Sequence, residues 1–430
     1  MQKSLIAVLI ASAFLSINAQ AADLIQVYQQ ALANDATFAS ARASLAVGKE
    51  RVPQGRASLL PIVGFTGSFA LGESDASPDR SRTNINTLTL SQPLFRWANW
   101  QTYQQSKLLQ SISEAQFAQA QQDLITRTSQ AYFDVLAAED AVELNRAQKT
   151  ATTEQLASAK RNFEVGTQTI TDTHEAQAAY DLVVAQEFAA INDLENKRSA
   201  LQNIIGKAPG PLAPLKPGVV LATPSPALID PWVASAETQN YAVVSAELSY
   251  ESSKRDIQRN RAGHYPTLDL VANASRRSDS INNITSSGTT KAIGVQYAIP
   301  IFSGFSVNSK VRESIALEDK ARNDLEASRR VAAQNARQAF LGVNSGLAQV
   351  RALQAAEVSS TSALESNKLG YQVGVRINID VLNAQRQLYQ TRTNLSRARY
   401  DTIINGLRLK AAAGSLREAD LIPVNNLLVK

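Results

Sequence analysis

The sequence has no cysteine, two histidines and, after residue 21, no stretch approaching 18 consecutive apolar residues. The first absence removes disulfides, thiolate metal sites, Cys nucleophiles and an N-terminal lipid-modified Cys together. His174 and His264 stand far apart with no ligand set around them, so they read as surface or turn residues. Gly206-Lys207 lacks the upstream Gly of a phosphate-binding loop, and no Ser/His/Asp grouping presents itself. No catalytic, cofactor or metal site is expected, and the protein does not read as an enzyme. The missing apolar run excludes a transmembrane helix. A net charge of +5 and a pI near 9.3 raise the question of nucleic acid. The basic residues are spread along helical patterns, however, and the densest cluster, Lys254–Arg261, has no aromatic platform beside it. It reads as a solvated helix face, with no nucleic-acid partner.

What is present is a pattern written twice. Phe163-Glu-Val165-Gly166 leads to Thr171-Asp172 and Ala176-Gln177; Tyr371-Gln-Val373-Gly374 leads to Asp380 and Ala384-Gln385, 208 positions later. In each copy a long helical pattern breaks at the Gly and another runs out. Gly supplies the positive φ that ends a helix, and Thr or Asp just after it caps the next. Two equivalent helical hairpins follow, with their turns as the expected working surface.

Residues 1–21 read as a secretory signal, with Lys3 in the n-region, Leu5–Ile17 as the h-region and Ala19-Gln-Ala21 as cleavage site. A first repeat, 22–205, opens with a helical segment to Arg56 that breaks near Asn34-Asp35. A β-hairpin follows at about 58–95: Val63, Phe65, Phe69 and Leu71 share one face of a strand, Gly72 to about Thr83 reads as a polar loop, and Ile85–Leu94 returns. The helical hairpin turns near 166–171. Leu124, Thr128, Ala131, Val135, Ala138 and Val142 are spaced 4-3-4-3-4, the seam of a coiled coil. Residues 206–231, with seven prolines, read as an extended linker. The second repeat, 232–413, has its helix at Pro231–Ala262 and its β-hairpin at about 264–302, with a polar loop at Arg276–Thr290. Its helical turn lies near 374–377, and Ala332, Ala336, Ala339, Val343, Gly346 and Val350 repeat the seam. A tail, 414–430, closes the chain.

Four strands of about ten residues have the length of transmembrane β-strands. An open sheet edge leaves unpaired backbone groups in hydrocarbon, so only closed barrels span lipid as β-structure. Four strands cannot close a lumen, which calls for a barrel shared among copies. A soluble periplasmic coiled-coil scaffold is the alternative, and a general porin a weaker one.

At this point the chain resembles the TolC family of outer-membrane efflux and type I secretion channels. The carriers are Asp23-Leu-Ile-Gln-Val-Tyr-Gln-Gln-Ala-Leu, Gln92-Pro-Leu-Phe95, Tyr297-Ala-Ile-Pro-Ile-Phe302 and the two Val-Gly turns, in order and duplicated. The resemblance implies a mainly α protein with membrane β: a homotrimer in the Gram-negative outer membrane, with a twelve-stranded barrel and a periplasmic α-helical tunnel. A small mixed domain around the tunnel's middle would take the linker and tail. The implied function is a passive exit duct for efflux or type I secretion, with a periplasmic adaptor and an inner-membrane pump or ABC exporter as partners, seated in outer-membrane lipid. By the same resemblance Thr171, Asp172, Tyr371 and Arg376 form a gate at the periplasmic tip, a phenol donating to a carboxylate and an Arg reaching Thr or backbone oxygen. Asp380 falls on the first of two acidic positions at the pore constriction; the second is Asn383 here, a departure expected to weaken cation selectivity. Val165, Gly166, Val373 and Gly374 are implied as adaptor-docking turns.

Overall fold

A computed structural model describes residues 21–74, 77–281 and 284–429. The expected signal at 1–21 lies outside the described residues except for Ala21. In order, the chain forms α1 (Leu24–Asn34), α2 (Ala36–Lys49), α3 (Arg51–Ala57), β1 (Ile62–Ser74), β2 (Ser77–Phe95), α4 (Trp97–Glu164) and α5 (Ile170–Ile205). There follow α6 (Ile229–Gln239), α7 (Tyr241–Arg261), β3 (Thr267–Ile281), β4 (Ile284–Ala298), α8 (Ser306–Gln372), α9 (Asn378–Ala412) and the short α10 (Leu421–Asn425). The described residues fall into two compact units, one within 21–40, 120–240 and 332–429, the other within 41–119 and 241–331.

In the second unit the strands form one antiparallel sheet in the order β1-β2-β3-β4. Their 13, 19, 15 and 15 residues exceed the 9–11 that a tilted strand needs to cross a bilayer. The segments expected as polar loops are instead largely strand. Gly72 pairs with Ser81 and Thr83 with Ala70 and Asp279, while Arg276–Ile281 pair with Thr289–Ile284. Apolar alternation stops there, but the backbone ladder needs no apolar side chain to continue. Thr83 Oγ1 donating to Asp279 at 2.8 Å and a Thr87–Ser275 hydroxyl pair at 3.0 Å support it from the side chains. Val63, Phe65, Phe69 and Leu71 are all exposed, as are Ile293, Val295, Tyr297 and Ile299. Among the described residues β1 pairs only with β2 and β4 only with β3, so both outer edges offer unpaired backbone groups. At the base of the sheet Arg96 grips the buried Asp269 carboxylate with two bonds, of 2.8 and 2.6 Å, tying the end of β2 to β3.

The first unit is built on the long helices. All six seam residues of α4, Leu124 to Val142, are buried. In α8 the seam buries Ala332, Ala336, Val343 and Val350, while Ala339 and Gly346 are half-buried. A strict 4-3 spacing keeps one stripe facing a neighbour along a helix that reaches roughly 100 Å for the 68 residues of α4. The linker is stitched to residue 22 and to the C-terminal tail. Ala22 N–H donates to Pro211 O at 2.8 Å, Ala213 N–H to Ala22 O at 3.0 Å, Lys216 N–H to Leu427 O at 2.9 Å, and Val429 N–H to Pro214 O at 2.8 Å. The buried Tyr132 hydroxyl donates to Ala213 O at 2.8 Å, and its burial drives its pKa well above the ordinary phenol. The linker ends earlier than expected: α6 starts at Ile229 and takes Pro231 into its first turn, where a missing N–H costs nothing. The helix expected over Pro231–Ala262 is also broken at Asn240, whose φ/ψ of −61°/129° is extended and whose side chain donates to Ala412 O at 3.0 Å.

The break at Asn34-Asp35 has one cause. Asp35 has an extended ψ of 116° that stops α1, and its carboxylate accepts the Phe38 N–H at 2.6 Å to cap α2. Arg127 of α4 adds two bonds of 3.1 Å each. Burial alone would raise this carboxyl, but the bonds from Arg127 and from the Phe38 and Thr37 amides outweigh it, and the pKa lies below the usual value. A depressed pKa means that its contribution is complete above the unfolded value of about 3.9 and is lost as pH falls through the folded value. We expect Asp35→Asn to cost about 1–3 kcal/mol at pH 7, with the gap to wild type narrowing at pH 3. Thermal melts followed by circular dichroism at both pH values check this; a gap that is equal at both would contradict it.

Candidate functional site at the helical turns

Both hairpin turns are Schellman caps. At the first, Gly166 takes φ 76°, its N–H donates to Phe163 O at 3.0 Å, and Thr167 N–H reaches Asn162 O at 2.9 Å. At the second, Gly374 takes φ 77°, its N–H donates to Tyr371 O at 3.2 Å, and Val375 N–H reaches Gly370 O at 2.8 Å. The left-handed residue closes the helix and satisfies carbonyls that no further turn can. Apolar side chains are left in solvent around both: Val165, Val373 and Val375 are 72%, 65% and 78% exposed.

The copies part company at the next cap. Thr169 caps α5: its hydroxyl accepts the Asp172 N–H at 3.3 Å, and the Asp172 carboxylate accepts the Thr169 N–H at 3.1 Å and hydroxyl at 2.7 Å. The residue 208 positions on is Ile377, which has no side chain to cap α9. Asp380, the counterpart of Asp172, is therefore free of a cap and faces Arg376 at 3.7 Å. One substitution, Thr against Ile, thus decides what each carboxylate does.

The two hairpins are linked within the chain. The Tyr371 hydroxyl accepts from Gln168 Nε2 at 2.7 Å and from Asn162 Nδ2 at 3.3 Å. Within the chain the phenol thus accepts from two side-chain amides, and the Asp172 carboxylate is held by its own cap. Asn378, fully buried, accepts from Gln155 Nε2 at 2.6 Å and donates to Asp172 O at 3.1 Å. Leu156, Ala159, Ala176 and Leu382 pack around these bonds. Asn378, Gln155, Gln168 and Asn162 escaped the sequence reading. A usable signal existed: the first copy has Ile170 where the second has Asn378, and a polar residue replacing an apolar one at a first helical turn has a partner to find. Thr171 is exposed, and Asn383 Oδ1 accepts from Arg386. Arg376 folds across Gly370, where a Cβ would sit 2.7 Å from its Cγ. No cluster of His, Asp or Glu among the described residues is able to hold a metal ion, and none of their helices is long and apolar enough to cross a membrane.

The sequence profile of the outer membrane efflux protein family matches residues 27–207 and 232–415, one span per repeat. The chain belongs to this family. The outer membrane protein TolC of Vibrio cholerae is 33% identical over 94% of this chain and 93% of its own. The alkaline protease secretion protein AprF of Pseudomonas aeruginosa is 31% identical over 94% and 87%. Among solved structures, the CmeC outer membrane channel of Campylobacter jejuni superposes with a TM-score of 0.82 at 18% identity, covering 94% of this chain and 90% of that one. As a member of the TolC-like efflux family the protein is an outer-membrane exit duct with a large periplasmic tunnel, and the family consists of channels rather than enzymes. TolC-family channels are trimeric and work with adaptor and inner-membrane pump partners.

Each neutral hydrogen bond is worth about 1 kcal/mol net. We expect Tyr371→Phe to raise backbone amide hydrogen exchange over 162–172 roughly fivefold, since the Gln168 and Asn162 side chains lose the common acceptor that ties this turn to the second hairpin. Asn378→Ala should raise it further. Hydrogen-exchange mass spectrometry of the tip peptides reads both, and unchanged protection in Tyr371→Phe would show that the phenol holds nothing.

Proposed function

We propose that the chain acts as a homotrimer whose three four-stranded sheets close a twelve-stranded barrel, and whose helical turns form a gate at the periplasmic tip. Two free sheet edges exposing apolar side chains support the closure, because backbone groups in hydrocarbon require partners. The observation that carries the gate is the uncapped start of α9. It leaves Asp380 and Arg376 available, half-exposed, beside the Tyr371 link between hairpins. In the closed duct Tyr371 and Arg376 of the second turn meet Thr171 and Asp172 of the first turn on a neighbouring copy. Three Asp380 carboxylates around an axis would favour cations. Asn383 holds a neutral amide against Arg386, which weakens that preference relative to a doubly acidic ring.

Docking of a periplasmic adaptor, coupled to an inner-membrane pump or ABC exporter, fits the exposed Val165-Gly166 and Val373-Gly374 turns. A groove of about 280 Å³ between α4, α5 and α9 is lined by Leu182, Val183, Ile379 and Leu382. The duct itself is passive, and opening energy comes from those partners.

Single-channel recording in planar bilayers tests the gate. Wild type should conduct weakly, and Tyr371→Phe/Arg376→Ser should conduct several-fold more. Asp380→Asn should lower cation preference in reversal-potential measurements. An unchanged conductance in the double variant would leave the duct standing and remove the gate from these residues.

A further inference from the structure

The four strand ends that join helices are strongly basic. Segments 47–61, 96–110, 252–266 and 299–313 hold eleven Lys or Arg against three acidic residues, net +8, more than the +5 of the entire chain. The opposite strand ends, 72–83 and 276–290, hold four of each sign. All of these segments belong to the second unit. Some of the basic residues are matched: Arg96 with Asp269, Lys254 with Glu251 and Arg259 with Asp256, each at 2.6 Å. Arg51, Arg56, Arg255, Arg261, Lys310 and Arg312 are exposed, with no side-chain hydrogen bond or ion pair to the described residues. Arg56 and Arg261 occupy the same place in the two repeats, six residues before β1 and β3.

Aromatic rings accompany these charges. Trp97, Trp100 and Tyr265 are 37%, 43% and 40% exposed, and Phe302 and Phe305 more so. Phe305 accepts a φ of 60°, costly for an aromatic residue, and meets Phe302 edge-on at 5.4 Å. Rings at the end of a membrane strand sit at headgroup depth. Arg255 and Arg261 are about 9 Å apart along α7, within about one screening length of each other. Their cluster also has an aromatic neighbour that the sequence reading passed over: Lys254 lies 4.0 Å above the Tyr250 ring.

We infer that this basic collar binds the anionic headgroups of phospholipids in the periplasmic leaflet of the outer membrane. The inference rests on the outer-membrane placement of the barrel and is independent of the gate. Cations with no partner among the described residues, on the flanks of β1, β3 and β4 and close in sequence to the aromatic rings, fit a planar layer of phosphates better than a single protein ligand. The neutral opposite ends carry no such preference. Each basic residue near an anionic surface multiplies affinity roughly fivefold.

Tryptophan quenching in reconstituted channels tests this, because Trp97 and Trp100 lie at the collar while Trp232 is buried in the other unit. Brominated phosphatidylglycerol, mixed into phosphatidylethanolamine vesicles, should quench at least threefold more per mole than brominated phosphatidylethanolamine. The preference should fall to about one in 0.5 M salt and in Arg56→Gln/Arg255→Gln/Arg261→Gln/Arg312→Gln. The matching four-Lys variant should retain it, which separates charge from a folding defect. Arg276→Gln/Lys291→Gln, farther along the strands, should leave it intact. Equal quenching by the two lipids in wild type, or a preference that survives loss of the four charges, overturns the inference.

Discussion

Every backbone N–H and C=O that enters hydrocarbon must be paired, and the described residues offer four strands with which to pair them. That shortfall organises the rest. The inner pairs β1-β2, β2-β3 and β3-β4 are complete over most of their length, so the unmet groups are confined to two edges. Edges of this kind are a hazard in a soluble protein and a joint in a shared barrel. Phe65, Phe69, Tyr297 and Ile299 would be an aggregation surface in water, whereas facing lipid they are ordinary. The Arg96–Asp269 pair then matters beyond its own energy. It fixes where the ladder between the two repeats stops and the helices begin.

Duplication supplied two copies of one hairpin, and small changes gave them different tasks. In the first copy Thr169 and Asp172 complete a reciprocal cap, which makes the start of α5 self-sufficient. In the second copy Ile377 leaves the start of α9 uncapped, and Asn378 buries an amide that has to find partners outside its own turn. A cap is worth about 1 kcal/mol, so its absence is affordable to a helix packed along its length by Val381, Leu388 and Leu395. What is gained is a carboxylate, Asp380, not committed to its own backbone. The divergence is legible as chemistry at single positions rather than as a change of fold.

How much the sequence disclosed follows from which signals are periodic. The 4-3 seam on α4 lies wholly in the core because helix periodicity and burial are the same fact seen twice. The Gly turns were legible because positive φ leaves few residue choices. The polar halves of the strands were not, because alternation reports which side chains are wet or greasy and says nothing about a backbone ladder running on through Ser81, Thr83 and Asp279. Pro231 misled for a related reason: it reads as a breaker, yet the first turn of a helix tolerates it. Tyr371 was found as a position, but its partners, Gln168 and Asn162, lie 203 and 209 residues away and carry no local mark. The basic collar was visible only as scattered Arg and Lys until the fold brought four flanks to one end of the sheet.

Under the proposed gate, the tip uses links that are individually weak. Arg376 is more than half exposed, so a pairing made there is screened and contributes at most about 1 kcal/mol. The proposed bond from Tyr371 to a neighbouring copy adds about as much. Moving a two-state equilibrium from 1:99 to 99:1 requires about 5.5 kcal/mol, which no single one of these bonds supplies and several repeated around a three-fold axis do. A gate assembled this way closes cooperatively and yields to a partner that competes for a few exposed groups. A deeply buried ionic lock would instead demand that the partner first compensate stranded charges. An exit duct without its own energy source requires the former, and the half-exposed chemistry at Tyr371, Arg376 and Asp380 is of that kind.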